Sequence, residues 1–173
     1  QHVEMTRDIA GTFNNIYDKE VFVLPEYELG VPTPVPGTDG QKMSKSYGNT
    51  IPLFAKGKAL KSLVMSFKTD STPLEDPKDP DTCKVFELYS LFASKEEIAA
   101  MRENYIAGGY GFGHAKKELL NKIKEDFAEA HERKEALEKD PDYLEDILQD
   151  GAKRAREIAR ATLNRAREAC GMA

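Results

Sequence analysis

Two lysines three positions apart, Lys42 and Lys45, alternate with Met43, Ser44 and Ser46 directly after Pro36-Gly37-Thr38-Asp39-Gly40. Glycine, proline and aspartate at that density predict a mobile loop. Ammonium groups on such a loop make a cationic clamp suited to the phosphates of a nucleotide. When pyrophosphate leaves an α-phosphate its charge rises, and positive groups placed where that charge develops lower the barrier. Lysine suits the task because its point charge rides on a flexible stem, whereas the arginine fork fixes one geometry. A mobile loop lets the lysines engage late. Ser44 and Ser46 can hold loop or phosphate oxygens, and Met43 can anchor the loop on apolar surface. On residue types alone the same run also reads as a solvated turn. No G-x-x-x-x-G-K-[ST] pattern occurs, so a P-loop is not supported.

The charge around the clamp favours an anion. From Gln41 to Thr69 there is no acid, but there are lysines at 42, 45, 56, 58, 61 and 68. From Asp70 to Glu87 the balance inverts. Such a basic stretch suits a nucleoside triphosphate or a tRNA backbone; Lys56, Lys58, Lys61 and Lys68 equally describe a solvated surface. The chain as a whole carries a net charge of −5 over 173 residues, so it is not basic all over. No apolar run approaches the roughly 18 residues a membrane span needs, which argues for a soluble protein without membrane association. Cys83 and Cys170 are far apart and lack partners at ligand spacing, so neither a disulfide framework nor a metal site is expected, and a cytoplasmic location fits.

The elements that must carry the clamp are mainly helical. Val3, Ile9 or Ala10, Phe13 and Ile16 or Tyr17 recur at helical intervals, and Val21-Phe22-Val23-Leu24 then reads as a short buried strand stopped by Pro25. A helix leading into a strand is half of a βαβ unit. Val31 to Val35 is a candidate for brief edge pairing. After the clamp, Ile51 to Phe54 reads as a helical turn, and Leu60, Leu63, Val64 and Phe67 mark a helix packed along one face. Asp70 to Asp81 reads as an irregular surface connection. Helices are then expected from about Asp81 to Ala93 and, behind a Ser94–Glu97 capping box, to about Ile106. A glycine-rich turn over 108–113 leads to a long helix from about His114 to Lys139. Another starts at Pro141 after Asp140, and Gly151 separates it from a last helix to about Cys170. On that last helix Ala155, Ile158, Ala159, Leu163, Ala166 and Ala169 share one arc. Lys153, Arg156, Arg160 and Arg167 share the next, a ridge for a tRNA backbone or simply a solvated face pairing with Glu157 and Glu168. His2, His114 and His131 read as surface histidines.

The complete Lys42-Met43-Ser44-Lys45-Ser46 run resembles the second signature of the class I aminoacyl-tRNA synthetases. Gln1 to Ala10 with Phe13-Asn14, Pro25-Glu26, Gly109-Tyr110-Gly111, Lys116 to Leu120, Gly151-Ala152 and the end at Gly171-Met172-Ala173 are similar to the tryptophanyl-tRNA synthetase family. The resemblance covers essentially the whole chain. It implies that residues 1–54 are the end of a Rossmann-like parallel α/β nucleotide-binding domain and 55–173 an all-helical bundle for the anticodon. It further implies ATP bound by Lys42 to Ser46, with Lys45 on the leaving pyrophosphate, Lys42 assisting, and Val35 near the adenine. The complete enzyme would use Mg²⁺-ATP to activate L-tryptophan, load it on tRNA and act as a homodimer. The family's first signature and its Gly-x-Asp-Gln segment do not occur here, so this chain alone is expected to be inactive. A tyrosyl-tRNA synthetase, or a non-catalytic tRNA-binding scaffold with a synthetase-like tail, are the alternatives.

Overall fold

A computed structural model describes residues 1–28 and 34–172 as seven α-helices joined by turns. They are α1 (His2–Tyr17), α2 (Gly57–Met65), α3 (Lys84–Tyr89), α4 (Lys95–Ala107), α5 (Phe112–Asp126), α6 (Ala128–Glu138) and α7 (Pro141–Ala169). The chain divides into two units, Thr33–Glu135 and the pair of segments Gln1–Pro32 and Ala136–Ala173. Among the described residues no helix is long and apolar enough to cross a membrane.

The unit that carries the clamp is built around α5. Ala115, Leu119, Leu120 and Ile123 recur at helical spacing and are buried, and α5 packs against both α2 and α3. From α2 and its exit come Leu60, Val64 and Phe67, from α3 Val85, Phe86, Leu88 and Tyr89, and from α4 Met101 and Tyr105. Burying each such side chain stabilises the fold by about 1.5–3 kcal/mol. The Tyr105 hydroxyl lies 3.4 Å from the Cys83 thiol, and burial pushes its pKa far up. At the start of α4 the capping box forms as expected: Ser94 Oγ accepts from Glu97 N at 3.2 Å and Glu97 Oε2 accepts from Ser94 N at 2.8 Å.

Two expected helices differ in extent. The one expected over 81–93 is helical only from Lys84 to Tyr89 and closes in turns at both ends. The long helix expected over 114–139 starts earlier and is broken into α5 and α6 at Phe127 (φ −100°, ψ 6°), whose ring packs edge-on against Phe92. Ile51 to Phe54 holds one hydrogen-bonded turn, Ala55 N to Pro52 O at 2.9 Å.

The connection over 70–81 is more tightly held than its composition suggests. Lys78 is only 5% exposed, and its Nζ donates to the carbonyls of Pro73, Leu74 and Asp76 at 2.8, 3.1 and 3.0 Å. Its own N–H donates to Tyr105 O at 2.7 Å, and its ammonium lies 5.6 Å from the centre of the Phe112 ring. Gly108, at φ +77°, lets the same segment approach: a Cβ there would stand 2.4 Å from Glu75 O. The glycine run is therefore a turn between α4 and α5.

In the other unit, the strand expected at Val21–Leu24 does not form. Asn14, on α1, occupies its polar groups instead: Oδ1 accepts from Val21 N and Phe22 N at 3.0 Å each, and Nδ2 donates to Phe22 O at 2.8 Å. Val21 is buried, but Val23 is 87% exposed. A strand needs a neighbouring strand to satisfy its backbone, and among the described residues there is none, so the sheet end expected within 1–54 is not seen. Asp140 caps α7 by accepting from Tyr143 N at 3.0 Å, with Pro141 in the first turn as expected. Gly151 does not end that helix; α7 runs through it to Ala169 because nothing competes with its backbone bonds. The apolar arc expected on α7 is not buried in this unit, with Ile158 76% exposed.

Candidate phosphate-clamp site

The clamp sits on a hairpin-like loop whose arms are joined by an isolated antiparallel bridge between Pro36 and Lys42. Met43 N donates to Val35 O at 2.8 Å and Gly37 N to Gln41 O at 2.7 Å. The expected pairing of Val31 to Val35 falls largely on residues 29–33, outside the described residues; Val35 itself pairs with the clamp. At the tip, Asp39 Oδ1 accepts from Gln41 N at 3.0 Å. Thr38 O accepts from Lys68 N at 2.9 Å, which ties the loop to the exit of α2.

The second arm ends in a single 3-10 turn, Lys45–Tyr47. Ser44 caps it, its Oγ accepting from Ser46 N at 3.3 Å, and Gly48 leaves it in the left-handed region at φ +65°. Asn49 then returns into the loop and is 2% exposed. Its side chain bonds to both arms, and the bond its Nδ2 donates to Asp39, followed by that from the Gln41 backbone, holds the Asp39 carboxyl below the usual carboxylate range.

Lys42 and Lys45 are exposed, and among the described residues neither meets a carboxylate. Two ammonium groups on one loop, neither paired with a carboxylate among the described residues, are arranged to receive an anion. Ser44 Oγ accepts the capping bond and keeps its O–H to donate, so the hydroxyls of Ser44 and Ser46 are both available to a ligand. Met43 is half-buried and, with Val35, lines an apolar cleft of about 120 Å³ against Ile51, Leu88, Phe92 and Phe127.

Elsewhere the expectations divide. Lys56 pairs with Glu135, while Lys58, Lys61 and Lys68 are exposed. Lys153, Arg156, Arg160 and Arg167 are all exposed on α7, and no ion pair joins them to Glu157 or Glu168 among the described residues. His131 lies edge-to-face with Phe54, 5.6 Å between ring centres. The sequence reading missed Asn49 and Asp39 as organisers of the loop. Their signal was present: an Asx residue following a glycine, and another inside a glycine-flanked turn.

The family described as tRNA synthetases class I (W and Y) matches residues 1–128. The chain is 50% identical to the tryptophan–tRNA ligase of Rhodopirellula baltica over 99% of this chain and 54% of that protein. It is 51% identical to that of Fusobacterium nucleatum, over 99% and 53%. The tryptophanyl-tRNA synthetase of Campylobacter jejuni, solved with ADP and tryptophan, superposes with a TM-score of 0.85 at 42% identity, covering 98% of this chain and 53% of that one. The chain thus spans about half the length of the curated relatives it matches.

Proposed function

Because the chain belongs to the tRNA synthetases class I (W and Y), we propose that it supplies the C-terminal part of a tryptophan–tRNA ligase. The complete enzyme would join L-tryptophan to ATP as an adenylate and pass it to tRNA. The observation that carries this reading is the clamp: a complete Lys-Met-Ser-Lys-Ser run held in a hydrogen-bonded loop with both ammonium groups exposed. The naming of the relatives supports tryptophan over tyrosine.

In this reading the tryptophan carboxylate attacks the α-phosphate and pyrophosphate departs. Lys45 meets the charge gained by the leaving group and Lys42 assists. Ser46 donates to a phosphate oxygen. Val35, on the apolar cleft beside Met43, offers the adenine an apolar surface. The ADP bound by the Campylobacter jejuni protein supports a nucleotide at this site. Mg²⁺ would arrive on the ATP phosphates; ammonium and hydroxyl groups suit phosphate oxygens and not a cation, so no step is assigned to the metal.

Residues 1–54 would close the nucleotide-binding domain, whose Rossmann-like sheet lies in the rest of the enzyme, and 55–173 would form the helical domain. The ridge of Lys153, Arg156, Arg160 and Arg167 would meet the tRNA backbone, positioning and not reading it. A homodimer in the cytoplasm completes the proposal. Tryptophan-dependent pyrophosphate exchange tests it. The complete enzyme exchanges, Lys45→Ala lowers the adenylation rate far more than tryptophan affinity, and the 173-residue chain alone is inactive. Equal losses in rate and affinity would contradict the role given to Lys45.

A further inference from the structure

Asn49 and Lys78 are the buried polar side chains among the described residues, and Asn49 lies inside the clamp loop. Every polar atom of its amide is engaged. Oδ1 accepts from Ser44 N at 2.7 Å, while Nδ2 donates to Asp39 Oδ1 at 2.7 Å and to Lys42 O at 3.1 Å. Its backbone carbonyl accepts from Thr38 N at 3.0 Å. The amide orientation is fixed by its partners, since a flipped group would set an acceptor against a carboxylate and a carbonyl. One residue therefore joins the arm before the tip to the arm that carries both lysines. Gly37 closes the packing: a Cβ there would stand 2.3 Å from Asn49 Nδ2.

We propose that Asn49, oriented by Asp39, is a positioning residue that sets the backbone of Lys42 and Ser44 so that both clamp ammonium groups are presented before a polyphosphate arrives. The inference rests on the phosphate-clamp reading. Neither residue reaches a ligand; both act through the backbone whose side chains do. Fixing that backbone in the free protein removes its ordering cost from the binding step, so the latch should appear as affinity. Its effect on the helical melt should be small beside this, because the bonds Asn49 makes all stay within the clamp loop.

The test uses the 173-residue chain and inorganic tripolyphosphate titrated by calorimetry at low salt. Trypsin cleavage after Lys42 and Lys45 is followed in parallel, with thermal melts of the helical signal. Asn49→Ala is expected to weaken tripolyphosphate about tenfold, a change of ~1.4 kcal/mol, to speed cleavage at both lysines and to leave the melt in place. Asp39→Asn keeps an acceptor for Asn49 Nδ2 and should behave as the unaltered chain, whereas Asp39→Ala should move towards Asn49→Ala. If Asn49→Ala disrupts the helical melt, the two Asp39 variants carry the same comparison. An Asn49→Ala chain that folds and binds tripolyphosphate undiminished, or is cleaved no faster, overturns the proposal alone. An unaltered chain that binds no tripolyphosphate overturns the clamp reading and the proposal with it.

Discussion

Replacing Lys78 by methionine keeps most of the buried stem and removes only the ammonium. Three carbonyls, those of Pro73, Leu74 and Asp76, then lose their donor. Hydrogen bonds to a charged group contribute about 1.5–3 kcal/mol each when their partners stay buried. Here the acceptors belong to exposed residues, so water can replace part of the loss. If only one bond goes uncompensated the cost is ~1.5 kcal/mol, and removing one partner of a fully buried charged group costs about 3–5 kcal/mol. The contact with Phe112 adds ~0.5–1 kcal/mol. We therefore expect Lys78→Met to destabilise the unit by about 2–4 kcal/mol, a fall in Tm on the order of 10 °C or more for a unit of this size. Urea titration monitored by far-UV circular dichroism measures it, with Lys95→Met, at an exposed helix start, as the control expected within ~0.5 kcal/mol of the parent. A Lys78→Met chain as stable as that control would refute the reasoning, because the three carbonyls would then be equally well served by water.

Two further outcomes follow from the same physics. Gly151 lies inside α7 with no atom within 4 Å of where a Cβ would stand, so Gly151→Ala should stabilise that helix by ~1 kcal/mol, read as a higher Tm of the unit containing α7; a lower Tm would mean that the site is not a free helical position. The Asp39 carboxyl is held low first by the Asn49 amide and then by the backbone of Gln41. A depressed carboxylate contributes to the loop above its unfolded value of about 3.9 and loses that contribution as pH falls through the lower folded value. The Gln41 amide resonance should thus stay native-like down to roughly pH 4 and move only below it; a midpoint above the usual carboxylate range would contradict the hydrogen bonds assigned to Asp39.

The helices were legible where apolar spacing or a cap had no competitor. Leu119, Leu120 and Ile123 lie inward at the expected spacing, and Ser94 with Glu97, and Asp140 with Pro141, mark true starts. What failed depended on groups distant in sequence. Val21 to Leu24 has strand composition, but Asn14 takes its amides in the absence of a neighbouring strand. Gly151 looked like a break because a glycine weakens a helix by only ~1 kcal/mol, too little to end one whose flanks are favourable. The clamp lysines were visible as a motif. The latch was not, because Asn49 and Asp39 are ordinary turn residues until the fold brings them together. Lys78 was invisible for the opposite reason: a lone lysine among acids and prolines reads as solvent-facing, and only the carbonyls around it reveal otherwise.

The side-chain partners of Asn49 lie no more than 10 residues from it along the chain. Loops of about ten residues close in roughly 10–100 ns, whereas enzymes typically turn over about ten times a second. A clamp tied so locally would open and reclose an enormous number of times between one catalytic event and the next. Its speed is then never limiting; what a ligand encounters is the fraction of time the two ammonium groups stand ready, and that fraction is set by one amide.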